Sequence, residues 1–299
     1  SAISGSEAYR FVTIGVSGLQ GGHSGMDIHR ERGNSNRLLG RTLAACAEKF
    51  DLHLVSVKGG SAMNVLPAES AAVIFTNAPE AALKAELAHW EATFKNELKA
   101  SDGAGLVLTL KDAPASDTVL SAATLQKLLT ALTLIPHGVQ AMDLNMKDQT
   151  LVESSNNLAV LSTDDEGIHI NCASRSSVGS KKVFIYEQIK AVADAIGATL
   201  TYSGDYPAWE YNPTSKLRDT FRAAYKTLFG KDAKVEGIHA GLECGLFSEK
   251  FKELGHDVDF VAFGPNISGA HSVNEKVSRS SVENMWKLLK EVLKNLGGK

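Results

Sequence analysis

Leu158-Ala159-Val160-Leu161-Ser162 and Ile168-His169-Ile170-Asn171-Cys172, joined through Thr163-Asp164-Asp165-Glu166-Gly167, decide the fold class. Both runs have strand composition, and the acidic connection ending in glycine suits a hairpin turn, which sets neighbouring strands antiparallel. Working outward, residues 9–16 alternate and read as a strand that runs into the glycine-rich turn Gly18-Leu19-Gln20-Gly21-Gly22-His23-Ser24-Gly25. After Gly33, Leu39, Leu43, Cys46, Ala47 and Phe50 fall at helical spacing, and residues 52–58 alternate again up to Gly59-Gly60. Residues 70–76 predict a strand. The stripe Leu83, Leu87, Trp90, Phe94 and Leu98 predicts a long amphipathic helix starting near Pro79. A strand over 106–110, helices over 120–132 and 183–196, and a strand over 199–203 complete this part. Short strands often adjacent in sequence and interleaved with helices predict an α+β layer with a mostly antiparallel sheet over residues 9–205.

Beyond Gly204-Asp205-Tyr206-Pro207 the pattern changes. A helix over 215–229, a strand over 235–239, a helix over 242–251, a strand over 260–263 and a helix over 282–296 alternate strictly, as in parallel α/β sheets. Two strands are too few for a parallel sheet to bury its apolar faces. The boundary is placed near Tyr206, giving segments 9–205 and 206–299.

Composition bounds the function. With 299 residues, 43% hydrophobic and 22% charged, the chain forms a core, and a formal net charge of -3 gives no broad cationic field for nucleic acid or anionic membrane. A small-molecule partner is expected instead. Cys46, Cys172 and Cys244 stand far apart without a CxxC pair, and no run approaches the ~20 apolar residues of a bilayer span. The first residues lack the basic and apolar regions of a signal peptide, so the cytoplasm is expected.

Several familiar devices fail. A serine elbow centred on Ser24 needs glycine at 26, where Met stands; Gly230-Lys231 lacks the upstream glycine run of a phosphate loop; and no G-x-G-x-x-G occurs. What remains is His23 on a glycine-flanked turn, which can be structural or can reach toward a substrate carbonyl or a partner subunit. His271, in Gly269-Ala270-His271-Ser272, follows an expected strand end, where α/β sheets place ligands; a zinc ligand fits there, as does an ordinary loop histidine, and one histidine alone makes no metal site. In Ile238-His239-Ala240-Gly241-Leu242-Glu243 a strand turns through glycine into a helix whose free N–H groups can hold a carboxylate, while Glu243 can simply complement the helix dipole. Arg175, at a strand end, can grip a carboxylate or stay solvated. Asn64, before Val65-Leu66-Pro67, is a turn residue or a substrate amide contact.

Gly18 to His29, with Arg32-Gly33-Asn34-Ser35-Asn36, resembles the start of the lid domain in the aminoacyl-histidine dipeptidases, the Xaa-His or carnosinase-like members of the M20 metallopeptidases. Residues 238–247 and 264–275 resemble C-terminal segments of the same family. The resemblance implies hydrolysis of small dipeptides, of the Xaa-His type, by two zinc ions that bind and activate a water. It implies a catalytic α/β domain interrupted by a smaller α+β lid that often dimerises, with residues 9–205 as the lid and 206–299 as the return into the catalytic domain. His271 resembles the final metal ligand, and His23 the lid histidine that polarises the scissile carbonyl, often of the other subunit. Asn64 and Arg175 resemble transition-state and substrate-carboxylate contacts, and the backbone at Gly241 part of the substrate cradle. One departure stands out. The family's H-x-D and Glu-Glu ligand motifs precede the lid, and neither occurs here, so the chain is expected to be a lid plus C-terminal part, inert by itself and weak in zinc. Two further readings stay open: a non-catalytic dimerisation or regulatory module, and an M20 hydrolase of tripeptides or acyl-amino acids.

Overall fold

The computed structural model describes residues 9–145, 151–237, 242–268 and 275–297. They fall into two compact units, divided between Ser203 and Gly204.

The first unit is α+β. Its sheet is built from β1 (Arg10–Ser17), β2 (Leu52–Gly59), β3 (Ser70–Thr76), β4 (Val107–Asp112), β5 (Gly138–Met142), β6 (Val152–Asp164) and β7 (Gly167–Ser176), in the order β4-β1-β3-β2-β6-β5 with β7 also on β6. Every pairing is antiparallel. The hairpin at Asp164 to Gly167 closes β6 on β7, with Asp164 Oδ1 accepting the Glu166 and Gly167 amides at 2.9 and 3.2 Å. β6 is long enough to carry β7 along one edge and both β5 and the end of β2 on the other.

The period-2 alternation of β1 buries Val12, Ile14 and Val16, and the helices α1 (Ser35–Lys49), α2 (Glu80–Glu97) and α3 (Ala122–Leu134) lay their stripes on that face. Leu39, Leu43 and Cys46 of α1 and Leu83, Leu87 and Phe94 of α2 are all buried in this core, as their spacing requires. Each such side chain contributes about 1.5–3 kcal/mol by leaving water. Helix α4 (Gly179–Ile196) follows β7 and stops at Gly197, whose φ of +64° is a left-handed cap.

Two expectations in this unit need correction. Residues 199–203 are not a strand: they follow the Gly197 cap of α4 without pairing to any strand of the described sheet. Conversely, β5 was not expected: its five residues sit against β6 with two register breaks, too short and irregular for a period to show.

The second unit holds α5 (Lys216–Phe229), α6 (Glu243–Glu253), the two-residue strands β8 (Ile267–Ser268) and β9 (Lys276–Val277), which pair antiparallel, and α7 (Arg279–Gly297). Ala224 of α5 and Leu288 and Val292 of α7 form its buried core, with Phe221, Tyr225 and Phe229 packed beside them. The expected strands over 235–239 and 260–263 are corrected: residues 235–237 and 260–263 are not strand, and 238 and 239 lie outside the described residues. A parallel strand forms only where neighbours accept its backbone, and among the described residues none flanks either run.

Side chains hold the 260–263 run to α5 instead. Phe263 packs on Phe221 with ring centres 4.7 Å apart, and Asp259 Oδ2 accepts the Ser215 hydroxyl at 2.8 Å and the Leu217 amide at 3.0 Å. Ser215 Oγ in turn caps α5 by accepting the Arg218 amide at 3.0 Å. Ser215→Ala removes both contacts and is expected to destabilise α5 by about 1–2 kcal/mol. Amide exchange across α5 checks this; an unchanged rate would show that the cap contributes nothing there.

Candidate functional site

The turn after β1 is shaped by backbone that only glycine tolerates. Gly18 has φ +81°, and a Cβ there would fall 1.9 Å from the Gly105 carbonyl oxygen; Gly22 has φ +128°, with Arg32 and Asp27 side chains filling the space a Cβ would need. Both ends of the loop are pinned by one buried carboxylate: Asp102 accepts the Gln20 amide at 3.1 Å and the Gly33 amide at 2.7 Å. Sequence reading missed Asp102, since nothing local marks a residue in the turn after α2 as the anchor of a loop some 80 positions away.

Within the loop, the His23 amide donates to Asp27 Oδ2 at 2.9 Å, and the Asp27 amide returns to the His23 carbonyl at 2.8 Å. Asp27 Oδ1 is held by Arg30 at 3.2 Å, and Arg32 donates to the Gly21 carbonyl at 2.5 Å. The Gly25 amide donates to His23 Nδ1 at 3.2 Å. A neutral imidazole whose Nδ1 accepts carries its hydrogen on Nε2, the form that donates to a carbonyl oxygen.

His23 pairs with Val65 in an isolated antiparallel bridge. The Ser24 amide donates to the Asn64 carbonyl and the Leu66 amide to the Gly22 carbonyl, each at 2.8 Å. Asn64 itself is exposed beside His23. Behind the bridge lies a groove of about 720 Å³ lined by Gly21, Gly22, Val65 and Leu66, with Lys58 and Lys111 on its walls; His23 and Asn64 are not part of that lining.

Arg175 reaches the same neighbourhood from β7. It stands opposite Ser155, and Asn157, two residues along β6 on the same sheet face, donates to the Met63 and Val65 carbonyls at 3.1 and 2.8 Å. The Cα atoms of Asn157 and Arg175 are therefore roughly 8–9 Å apart by strand geometry. Arg175 Nε is buried with no acceptor among the described residues, and burial pulls the guanidinium pKa below its usual value. A desolvated cation in that condition favours an anion placed beside it.

His23 and Asn64 are thus joined loop to loop, and Arg175 stands on the strand next to the one whose Asn157 holds the Asn64 loop. Gly241 and His271, with His239, lie outside the described residues. Glu243 opens α6, whose first turn carries it as an acidic residue. Cysteine chemistry is disfavoured: burial pushes the Cys46 thiol up to about 12 and Cys172 up to about 11, so neither supplies a thiolate near neutrality. Among the described residues no three His, Cys, Asp or Glu side chains are grouped to hold a metal ion, and no helix is long and apolar enough to cross a membrane.

Residues 13–295 match the sequence profile of peptidase family M20/M25/M40. The chain is 35% identical over 285 residues to the cytosol non-specific dipeptidase of Escherichia coli strain K12, a match covering 95% of this chain and 57% of that protein. It superimposes with a TM-score of 0.89 and 32% identity on the crystal structure of aminoacylhistidine dipeptidase from Vibrio alginolyticus, over 99% of this chain and 59% of that one. The chain therefore spans somewhat under two thirds of the length of each relative.

Proposed function

This chain belongs to peptidase family M20/M25/M40, and from that premise we propose that it serves the hydrolysis of dipeptides, with residues 9–205 as a lid and 206–299 as a catalytic-domain segment. The observation that carries the reading is the set of groups at and near the His23 bridge: an imidazole whose Nδ1 accepts the Gly25 amide, Asn64 beside it, and, on the neighbouring β7, a buried guanidinium whose Nε has no acceptor among the described residues.

Each group has a role. His23 donates to the scissile carbonyl oxygen and stabilises the oxyanion that develops on it. Arg175 takes the C-terminal carboxylate of the dipeptide, which fixes the length of the substrate relative to His23. Asn64 contacts the substrate as the tetrahedral centre forms, and the backbone at Gly241 adds to the cradle. A C-terminal histidine in the substrate, as in β-alanyl-histidine, is the preferred reading, supported by the name of the Vibrio relative; the Escherichia coli relative is named for non-specific action.

Zinc belongs to this proposal through His271. The described residues do not by themselves make a zinc site, so the roles above are confined to the chain's own groups. By ligand count, the 299-residue chain alone is expected to hold zinc weakly and to turn over no dipeptide. Near-stoichiometric zinc with turnover of β-alanyl-histidine would overturn that expectation. The cytosol is the expected location, in line with the Escherichia coli relative's name. A homodimer through the lid is proposed because a lid histidine can serve a neighbouring subunit only across a fixed two-fold contact; a strictly monomeric, folded species in sedimentation would count against it.

The direct test is titration of the chain with β-alanyl-histidine, followed by side-chain resonances of His23 and Arg175. Shifts at both, lost when the C-terminal carboxylate of the dipeptide is amidated, support the reading. Binding that ignores the carboxylate, or no shift at either residue, sinks it.

A further inference from the structure

We propose that Asn157 is the positioning residue of this site: its carboxamide holds the loop that carries Asn64, and through the bridge the His23 imidazole, in register with Arg175. The inference rests on the site reading above.

Asn157 is fully buried in β6. Its side-chain nitrogen spends its donors on the two carbonyls that flank Asn64, those of Met63 and Val65. The neighbouring Asn156 faces the other way along the strand and holds different partners, donating to the Pro136 carbonyl at 2.6 Å and accepting the Ser174 hydroxyl at 2.8 Å. The base of the Asn64 loop is closed by the Gly60 amide on the Glu69 carbonyl, and its exit by the Ser35 amide on the Pro67 carbonyl. At the tip, the bonds from Ser24 to Asn64 and from Leu66 to Gly22 join the two loops to one another. Asn157 is the side chain that hydrogen-bonds the Asn64 loop to β6, alongside the apolar packing of Ile28 and Leu66 on Val152, and β6 is the strand that also carries the partner of Arg175.

Packing alone does not account for this residue. Asn157 Oδ1 is buried with no donor among the described residues, and an orphaned acceptor costs free energy that a leucine of similar volume would avoid. The choice of a carboxamide is explained by what its nitrogen holds. Because β6 runs next to β7, the same strand fixes Arg175 opposite Ser155, so one residue sets the spacing between the carboxylate-binding group and the carbonyl-polarising group.

The test uses the full 299-residue chain with Asn157→Leu and Asn157→Asp, both close in volume and both without the amide donors. Amide exchange is read at Ser24 and Leu66 and compared with Ile14 and Ile74 in the core. The expected result is exchange ~10–100-fold faster at Ser24 and Leu66, the scale of the two hydrogen bonds lost, with Ile14 and Ile74 unchanged. β-alanyl-histidine should bind ~10-fold more weakly to both variants. Unchanged exchange at the two tip amides, or an increase shared equally by the core amides, overturns the proposal. If the dipeptide perturbs neither His23 nor Arg175 in the unsubstituted chain, the site reading fails, while the exchange comparison still decides whether Asn157 holds the loop.

Discussion

Replacing His23 with alanine in the active enzyme is expected to lower kcat for dipeptide hydrolysis by ~10²–10³-fold, the usual cost of one lost oxyanion donor. KM should change little, because a donor that matters most in the transition state contributes little to ground-state binding. The fold should tolerate the change. The two bonds that shape the turn, from the His23 amide to Asp27 and from the Asp27 amide to the His23 carbonyl, are made by backbone atoms of residue 23 and survive truncation. The bond from the Gly25 amide to Nδ1 is lost. Zinc content should also be unaffected, in contrast to His271→Ala, which the resemblance assigns to the metal. His23→Gln restores a donor at a different reach and should recover part of the loss. A fall in zinc content with kcat preserved would reverse the roles of the two histidines and refute the assignment.

How much of this was legible in the sequence depends on the range of the interaction. The helix stripes were readable because Leu39, Leu43 and Cys46, or Leu83, Leu87 and Phe94, report burial through spacing alone. The β6–β7 hairpin was readable because its turn is local. No strand forms at 235–237 or 260–263 because a parallel strand is a property of its neighbours, whereas apolar runs like Phe260-Val261-Ala262-Phe263 can equally be held by side chains, as Phe263 is by Phe221. At the site, His23 and Asn64 were marked by glycines and a following proline. The groups that hold them were not: Asp102 and Asn157 lie far away in sequence and act on backbone atoms, so no motif records them.

His137 was likewise invisible in the sequence, and it carries the second large expectation, an acid-dependent loss of stability beginning well above the carboxylate range. The ring sits between α3 and β5, where its Nδ1 faces the Asn34 side-chain nitrogen at 3.2 Å and the Leu158 amide at 3.3 Å. Nδ1 therefore serves as an acceptor, which protonation would abolish. Burial, reinforced by the nearby Arg37 charge and only partly offset by the Asn156 carbonyl, pushes its pKa down from 6.5 to about 4. As pH falls through 6.5 the unfolded chain takes up a proton on this histidine while the folded chain does not, so stability is complete above that pH and declines until about pH 4. The loss amounts to about 2 kcal/mol by pH 5 and up to about 3 kcal/mol by pH 4. The carboxylates held low by cationic partners, Glu80, Glu86 and Glu97 among them, add their losses only below their own ordinary range, so the interval from pH 6.5 to 5 separates His137 from them. His137→Asn keeps an acceptor near the Nδ1 position without a titrating proton. Urea unfolding at pH 7.5 and pH 5 should therefore show a large fall for the unsubstituted chain and a much smaller one for His137→Asn. Equal falls in the two proteins would mean that the proton is taken up elsewhere and that His137 does not link the N-terminus of α1 to β6 in the manner described.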